Sequence, residues 1–201
     1  LPEFAFWWET NNKVFGQTQN PWKLGYISGG SSGGEAAALA TGLTPLGMGS
    51  DVGGSIRHPA THCGVVGFKA THGRIPLTGH YPEVLLRAMH TGPMARTVRD
   101  VALGLQIVAG PDGLDPFMSP VPIPQVPVLN EEVRKLRVAW TSEGWFAPVS
   151  KEVSQTVFKA ALTLQELGCQ VEEMDWSVLG KWDPIAVSDP IWRADPALYL
   201  E

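Results

Sequence analysis

The chain has 201 residues and a formal net charge of −5, a size that fits one ordinary domain or part of a larger one. No basic run accompanies that charge, which argues against a nucleic-acid partner, and no apolar run reaches the length of a membrane span. A hydrophobic content of 44% is enough for a core, and 22 Gly with 17 Pro call for many turns.

Residues 1–28 are aromatic and turn-rich: PEFAFWWETNN, then NPWKLG. They read as an extended covering segment. No signal peptide opens the chain, and Leu1 is not an initiator methionine. After GGSSGG, Gly33 and Gly34 open a helix through EAAALAT, which Gly42 stops. TPLGMGSD reads as a short buried strand from Pro45 to Ser50, followed by a tight turn at Gly53 and Gly54 before Ser55. IRHPATHCG is a short helix. VVGFKATHGRI leads into an irregular loop through Tyr81. ARTVRDVALGLQIVAG is the best amphipathic helix, with Val98, Val101, Ala102, Leu105 and Val108 on one face.

A proline-rich connection, SPVPIPQVPVLN, spans residues 119–130. A β-α-β signal follows within 135–175: a strand over Leu136–Thr141, a helix over Lys151–Leu167 and a strand over about Cys169–Met174. The order predicts an α/β protein with one mixed sheet. The last residues, DPALYLE, show no domain boundary. Cys63 and Cys169 lie in apolar settings (THCGVVGF and ELGCQVEE) and read as buried thiols, which leans towards a reducing, cytoplasmic compartment.

The chemistry concentrates between Gly29 and Ala60. Ser31 and Ser32 sit inside GGSSGG, and Ser55 closes DVGGS. Serine among glycines brings backbone close to a bound group, with N–H donors free to face it. A phosphate-cradling reading lacks the GK[ST] ending and a preceding strand. G-x-S-x-G occurs around Ser31 and around Ser32, but a nucleophile elbow needs a buried strand just before the serine, and NPWKLGYIS is not one. A purely structural turn is the remaining bland reading of the loop. The five histidines, His58, His62, His72, His80 and His90, all follow Ser55 and could serve as a base on spacing alone. None sits in a setting that demands it, so surface or loop packing is the better reading of each. Nothing has metal-ligand spacing. Asp51 and Arg57 bracket Ser55, either as a local ion pair holding the turn or as support for the GGS backbone, and both can hold.

The run GGSSGGEAAALATGLTPLGMGSDVGGSIRHPATHCGVVGFKATHGRIP resembles the signature region of the amidase signature enzymes. The resemblance continues through TGPMARTVRDVALGLQIVAGPDGLDP and upstream through PEFAFWWETNNKVFGQTQNPW. It is strong over residues 2–117, with the signature core at about 25–117, and looser beyond. It implies an α/β amidase signature fold, a mixed twisted sheet covered by helices, of which residues 1–201 are part of a single domain. It implies a Ser-Ser-Lys triad: Ser55 the nucleophile, Ser31 the bridging serine after a cis peptide bond, and a neutral lysine as base. The two hydroxyls should then lie within hydrogen-bond reach. The N–H groups of Val52, Gly53, Gly54 and Ser55 match the oxyanion hole, and Ser32, Ser50, Asp51 and Arg57 match supporting polar residues. The implied activity is hydrolysis of a carboxylic amide to acid plus ammonia or amine, without cofactor or metal. The implied partner is a small-molecule amide, without nucleic acid or membrane, and a homo-oligomer is compatible with it.

The family's lysine lies well upstream of the serine loop. Only Lys13 and Lys23 precede Ser31, and neither matches the family's lysine motif. The chain therefore reads as an internal fragment lacking the lysine element, and an inactive fragment is one alternative. The glutamine-hydrolysing subunit of a tRNA-dependent amidotransferase is another. A serine after GGSSGG and a glutamine within SIRxPA would favour that subunit, and Glu35 and His58 stand at those places.

Overall fold

The computed structural model describes residues 1–83, 85–120, 133, 136–144, 147–175 and 183–200, with side chains of the last helix as far as residue 194. The chain forms two compact units, one of residues 1–127 with 199–201 and one of residues 128–198. The division falls in the proline-rich connection, whose residues 121–130 lie outside the described set.

The first unit opens with a 3-10 turn at Glu3–Ala5 and a small antiparallel pair, β1 (Asn11–Asn12) with β2 (Gly16–Gln17). Next come α1 (Gly33–Ala40), β3 (Leu46–Asp51), α2 (Arg57–Cys63), β4 (Val66–Gly67), β5 (His90–Ala95) and α3 (Val98–Val108). Alanine gives α1 its helix preference. The chain turns out of α1 at Gly42 and out of α2 at Gly64, whose φ values of 77° and 65° are left-handed and suit glycine. Thr97 caps α3 by accepting from the Asp100 N–H at 3.1 Å. The sheet order is β3-β5-β4, all antiparallel. Ala36 and Leu39 of α1 pack with Ile56, Ala60, Cys63 and Met94 into one buried cluster. That cluster fixes α1 and α2, the two elements that follow the serine loops.

One expectation needs correction here. On α3 the buried positions are Val101 and Gly104, with Ala102, Leu105 and Val108 only half-buried and Val98 exposed. Gly104 sits where an added Cβ would be 3.0 Å from Leu46 and 3.1 Å from Pro93. The helix thus approaches the sheet most closely at a residue without a side chain, and its first turn stays in solvent. β5 was not foreseen from HTGPMA. Gly92 and Pro93 in the middle argue against a central strand. The ladder tolerates Pro93 because its carbonyl accepts from the Phe68 N–H at 3.1 Å, so its nitrogen also faces away from β3 and just past the end of β4.

In the second unit β6 (Arg137–Trp140) pairs in parallel with β7 (Gln170–Glu173), in register Arg137↔Gln170 to Trp140↔Glu173, and α4 (Lys151–Glu166) connects them. These bounds match the β-α-β signal closely. A further helix, α5 (Pro184–Leu200), was not foreseen, because Pro184, Pro190 and Pro196 all fall within it. The described residues thus carry helices with both antiparallel and parallel ladders, in separate sheets, as an α/β protein. Cys63 and Cys169 are both buried and unpaired. Among the described residues no helix is long and apolar enough to cross a membrane.

Candidate catalytic site

The loop before α1 is almost wholly interior. Ser28, Ser31 and Ser32 are buried, and the Gly30–Ser31 peptide bond is cis. Thr10 braces the loop from beneath. Its hydroxyl faces the carbonyls of Gly29 at 2.9 Å and Ser31 at 3.3 Å, and accepts from the Gly33 N–H at 3.0 Å. Gly30 lies against the main chain of residues 7–9, where an added Cβ would be 2.7 Å from the Trp8 carbonyl carbon and 2.8 Å from the Glu9 nitrogen. The N-terminal segment is therefore partly a buried brace as well as a cover. Thr10 was missed in the sequence, because its partners lie 19 to 23 residues away and nothing local marks it.

Thr10→Val keeps the shape but strands the buried Gly33 N–H. Leaving such a donor unsatisfied costs about 1–3 kcal/mol. Chemical denaturation should show a loss in that range. An unchanged midpoint would mean that the brace contributes nothing.

The second loop is organised by Asp51, which is fully buried. Its Oδ1 accepts from the Gly54 N–H at 2.8 Å and Arg57 Nη2 at 2.8 Å. Its Oδ2 accepts from the Ile56 N–H at 3.1 Å, the Arg57 N–H at 3.3 Å and Arg57 Nε at 3.0 Å. Burial pushes the Asp51 pKa up, but the Arg57 guanidinium and the three backbone donors outweigh it and hold it below the ordinary carboxylate value. The ion pair and the support of the GGS backbone are thus one arrangement.

Ser55 follows on this turn and is half-buried, whereas Ser31 is 1% exposed. The loops are joined by the Ser32 N–H donating to the Ser55 carbonyl at 3.2 Å. The two hydroxyls, expected to bond each other, do not do so among the described residues. Among the described residues neither hydroxyl has another hydrogen-bond partner. The N–H groups of Val52, Gly53 and Ser55 have no intramolecular partner among the described residues. Gly54 differs from the other three, since its N–H is committed to Asp51. Ser32 Oγ packs on Gly49, where an added Cβ would be 2.8 Å away, and Ser50 of β3 pairs opposite Thr91 of β5.

No histidine bonds either serine hydroxyl among the described residues. His58 Nδ1 faces the Gly30 N–H at 3.5 Å and its ring lies 4.4 Å from that of His62. Burial lowers the His58 pKa, and His62 adds to the lowering. His90 Nδ1 is 3.1 Å from the Asp51 carbonyl, His72 Nε2 is 3.0 Å from that of Leu86, and His80 Nδ1 is 3.3 Å from that of Pro82. Lys23 Nζ bonds Tyr26 Oη at 2.9 Å. Among the described residues no three His, Cys, Asp or Glu side chains cluster as metal ligands.

A family model described as Amidase matches residues 1–194. The chain is 41% identical over 177 residues to a glutamyl-tRNA(Gln) amidotransferase subunit of Bacillus velezensis, covering 87% of this chain and 36% of that relative. Among solved structures it is similar to a bacterial aryl acylamidase of the amidase signature family, with a TM-score of 0.81 and 35% identity over 92% of this chain and 38% of that one. It is also similar to 6-aminohexanoate cyclic dimer hydrolase, with a TM-score of 0.80 and 37% identity over 89% of this chain and 38% of that one. The chain thus spans little more than a third of the length of these relatives.

Proposed function

This chain belongs to the amidase family, and we propose that the protein carrying it hydrolyses a carboxylic amide to an acid and ammonia or an amine through an acyl-enzyme on Ser55. The observation that carries the reading is a half-buried serine on a turn whose Val52, Gly53 and Ser55 N–H groups are unpaired among the described residues. Ser55 Oγ attacks the amide carbonyl carbon as its proton leaves. The carbonyl oxygen becomes an oxyanion, and unpaired N–H groups on that turn stabilise it. Gly54 shapes the turn through Asp51 rather than donating to that oxygen. Ser31, interior and beside the turn, suits the relay of a proton better than attack on a substrate. The amine departs with a proton, and water then releases the acid and restores Ser55. The division into signature core, proline-rich connection and β-α-β segment belongs to this same proposal.

The base in this reading is a lysine supplied from upstream of the serine loop, as the family resemblance implies. It must be neutral to accept a proton, although an unperturbed lysine titrates near pH 10.4. Activity should therefore rise through neutral pH and stay high in the alkaline range. A limb near pH 6–7 would point instead to a histidine base. The substrate is a small amide. A panel of simple amides set against glutamine separates a stand-alone amidase from the glutamine-hydrolysing component of an amidotransferase. Glu35 and His58, at the two discriminating places, favour the stand-alone enzyme.

A further inference from the structure

We propose that His90 is a positioning residue for the oxyanion-binding turn, acting through the Asp51–Val52 peptide group. The inference rests on the reading of Ser55 and its turn given above. The observation is the 3.1 Å contact between His90 Nδ1 and the backbone carbonyl of Asp51. A carbonyl only accepts, so Nδ1 carries the proton and donates it. That carbonyl shares one planar peptide group with the Val52 N–H, which has no partner of its own among the described residues. A donor on the oxygen withdraws electron density through the amide and makes the N–H on its far side a stronger donor. Together with the β3–β5 ladder it also holds the plane of that peptide, and with it the direction in which the Val52 N–H points.

His90 is well placed to hold a fixed direction. It pairs with Asp51 on the last rung of the β3–β5 ladder, so the ring comes from a strand rather than a loop. The His72 ring meets it edge-on at 5.6 Å, and His72 is itself anchored through Nε2 to the Leu86 carbonyl at 3.0 Å. The charged and titratable neighbours that act on the ring are Lys69 and His72. Burial lowers the His90 pKa, against the contacts with the backbones of Asp51 and Ala88 that raise it, and Lys69 and His72 add to the lowering. Protonation at Nε2 would leave the Nδ1–H in place. The positioning bond therefore survives at either protonation state, and the role is one of direction and polarisation.

The test compares His90→Leu, which removes the donor, with His90→Asn, whose amide NH2 can take the place of Nδ1–H, both in the full-length protein. His90→Leu should lower kcat about ten-fold, less than the roughly 10²–10³-fold of a lost oxyanion donor, because the N–H itself remains. KM should stay within about two-fold, since the bond matters to the charged oxygen and not to the bound amide. Inhibition by phenylboronic acid, whose serine adduct carries an anionic oxygen, should weaken by a similar factor. His90→Asn should recover most of both losses. If His90→Leu does not fold, His90→Gln replaces it, with its donor displaced by one methylene. Equal impairment of the leucine (or glutamine) and asparagine variants, full activity of the leucine variant, or a change in KM alone would each overturn the proposal. Ser55→Ala run alongside separates the two levels: turnover retained there sinks the reading of the site itself, whereas a dead Ser55→Ala beside a fully active His90→Leu sinks only the role of His90.

Discussion

Ser55→Ala in the full-length protein is expected to abolish acyl-enzyme formation and to lower kcat on the order of 10⁶-fold, as removal of a nucleophilic serine does elsewhere. The fold should hardly notice. The side chain is half-buried and its hydroxyl holds no hydrogen bond among the described residues, so no partner is stranded by its loss. The carbonyl of residue 55 still accepts from the Ser32 N–H, which keeps the two loops joined. Activity by a sensitive amide assay and melting temperature, measured on the same preparation, separate loss of chemistry from loss of structure. An inactive Ser31→Ala beside a still active Ser55→Ala would reverse the roles of the two serines.

Asp51→Ala is the substitution expected to cost most in stability. It strands the N–H groups of Gly54, Ile56 and Arg57, which now share one buried carboxylate. Arg57 is 54% exposed, so its own charge can return to water and adds less. The expected loss is about 2–4 kcal/mol, chiefly from the unsatisfied donors. Because the Asp51 pKa is depressed in the folded state, its contribution is fully present above the unfolded value of about 3.9. It disappears as pH falls through the lower, folded value. The gap in stability between the parent and Asp51→Ala should therefore narrow as pH falls below about 4. A gap that stays constant down to the acid limit would show that the carboxylate charge is not what organises the turn. Amidase activity should fall along with stability, since Asp51 sets the path of the backbone from Val52 to Ser55.

Much of the fold could be read along the chain where one local signal dominates. Glycines at 42 and 64 end α1 and α2, and the strand-helix-strand pattern of β6, α4 and β7 matches its observed bounds within a residue or two. The chain hides structure where a local rule yields to a long-range one. β5 is built around Pro93, whose missing N–H matters little because it faces past the end of β4. α5 contains prolines that the helix rule treats as stops. At the site, the paired serines, Asp51 and Arg57 declare themselves in the glycine-rich motifs. Thr10 and His90 do not. Thr10 reaches the serine loop across some twenty residues, and His90 reaches Asp51 across 39, so only the folded chain brings them together.

The most direct test of the central claim is to identify the covalently modified residue. Full-length protein would be treated with a fluorophosphonate, which labels activated serines, digested, and sequenced by mass spectrometry. The account predicts a single adduct on Ser55, within the peptide spanning the DVGGSIR turn. The Ser55→Ala protein should take up no label. An adduct on Ser31, on Ser32 or on a residue outside these two loops, with Ser55 unmodified, would contradict it.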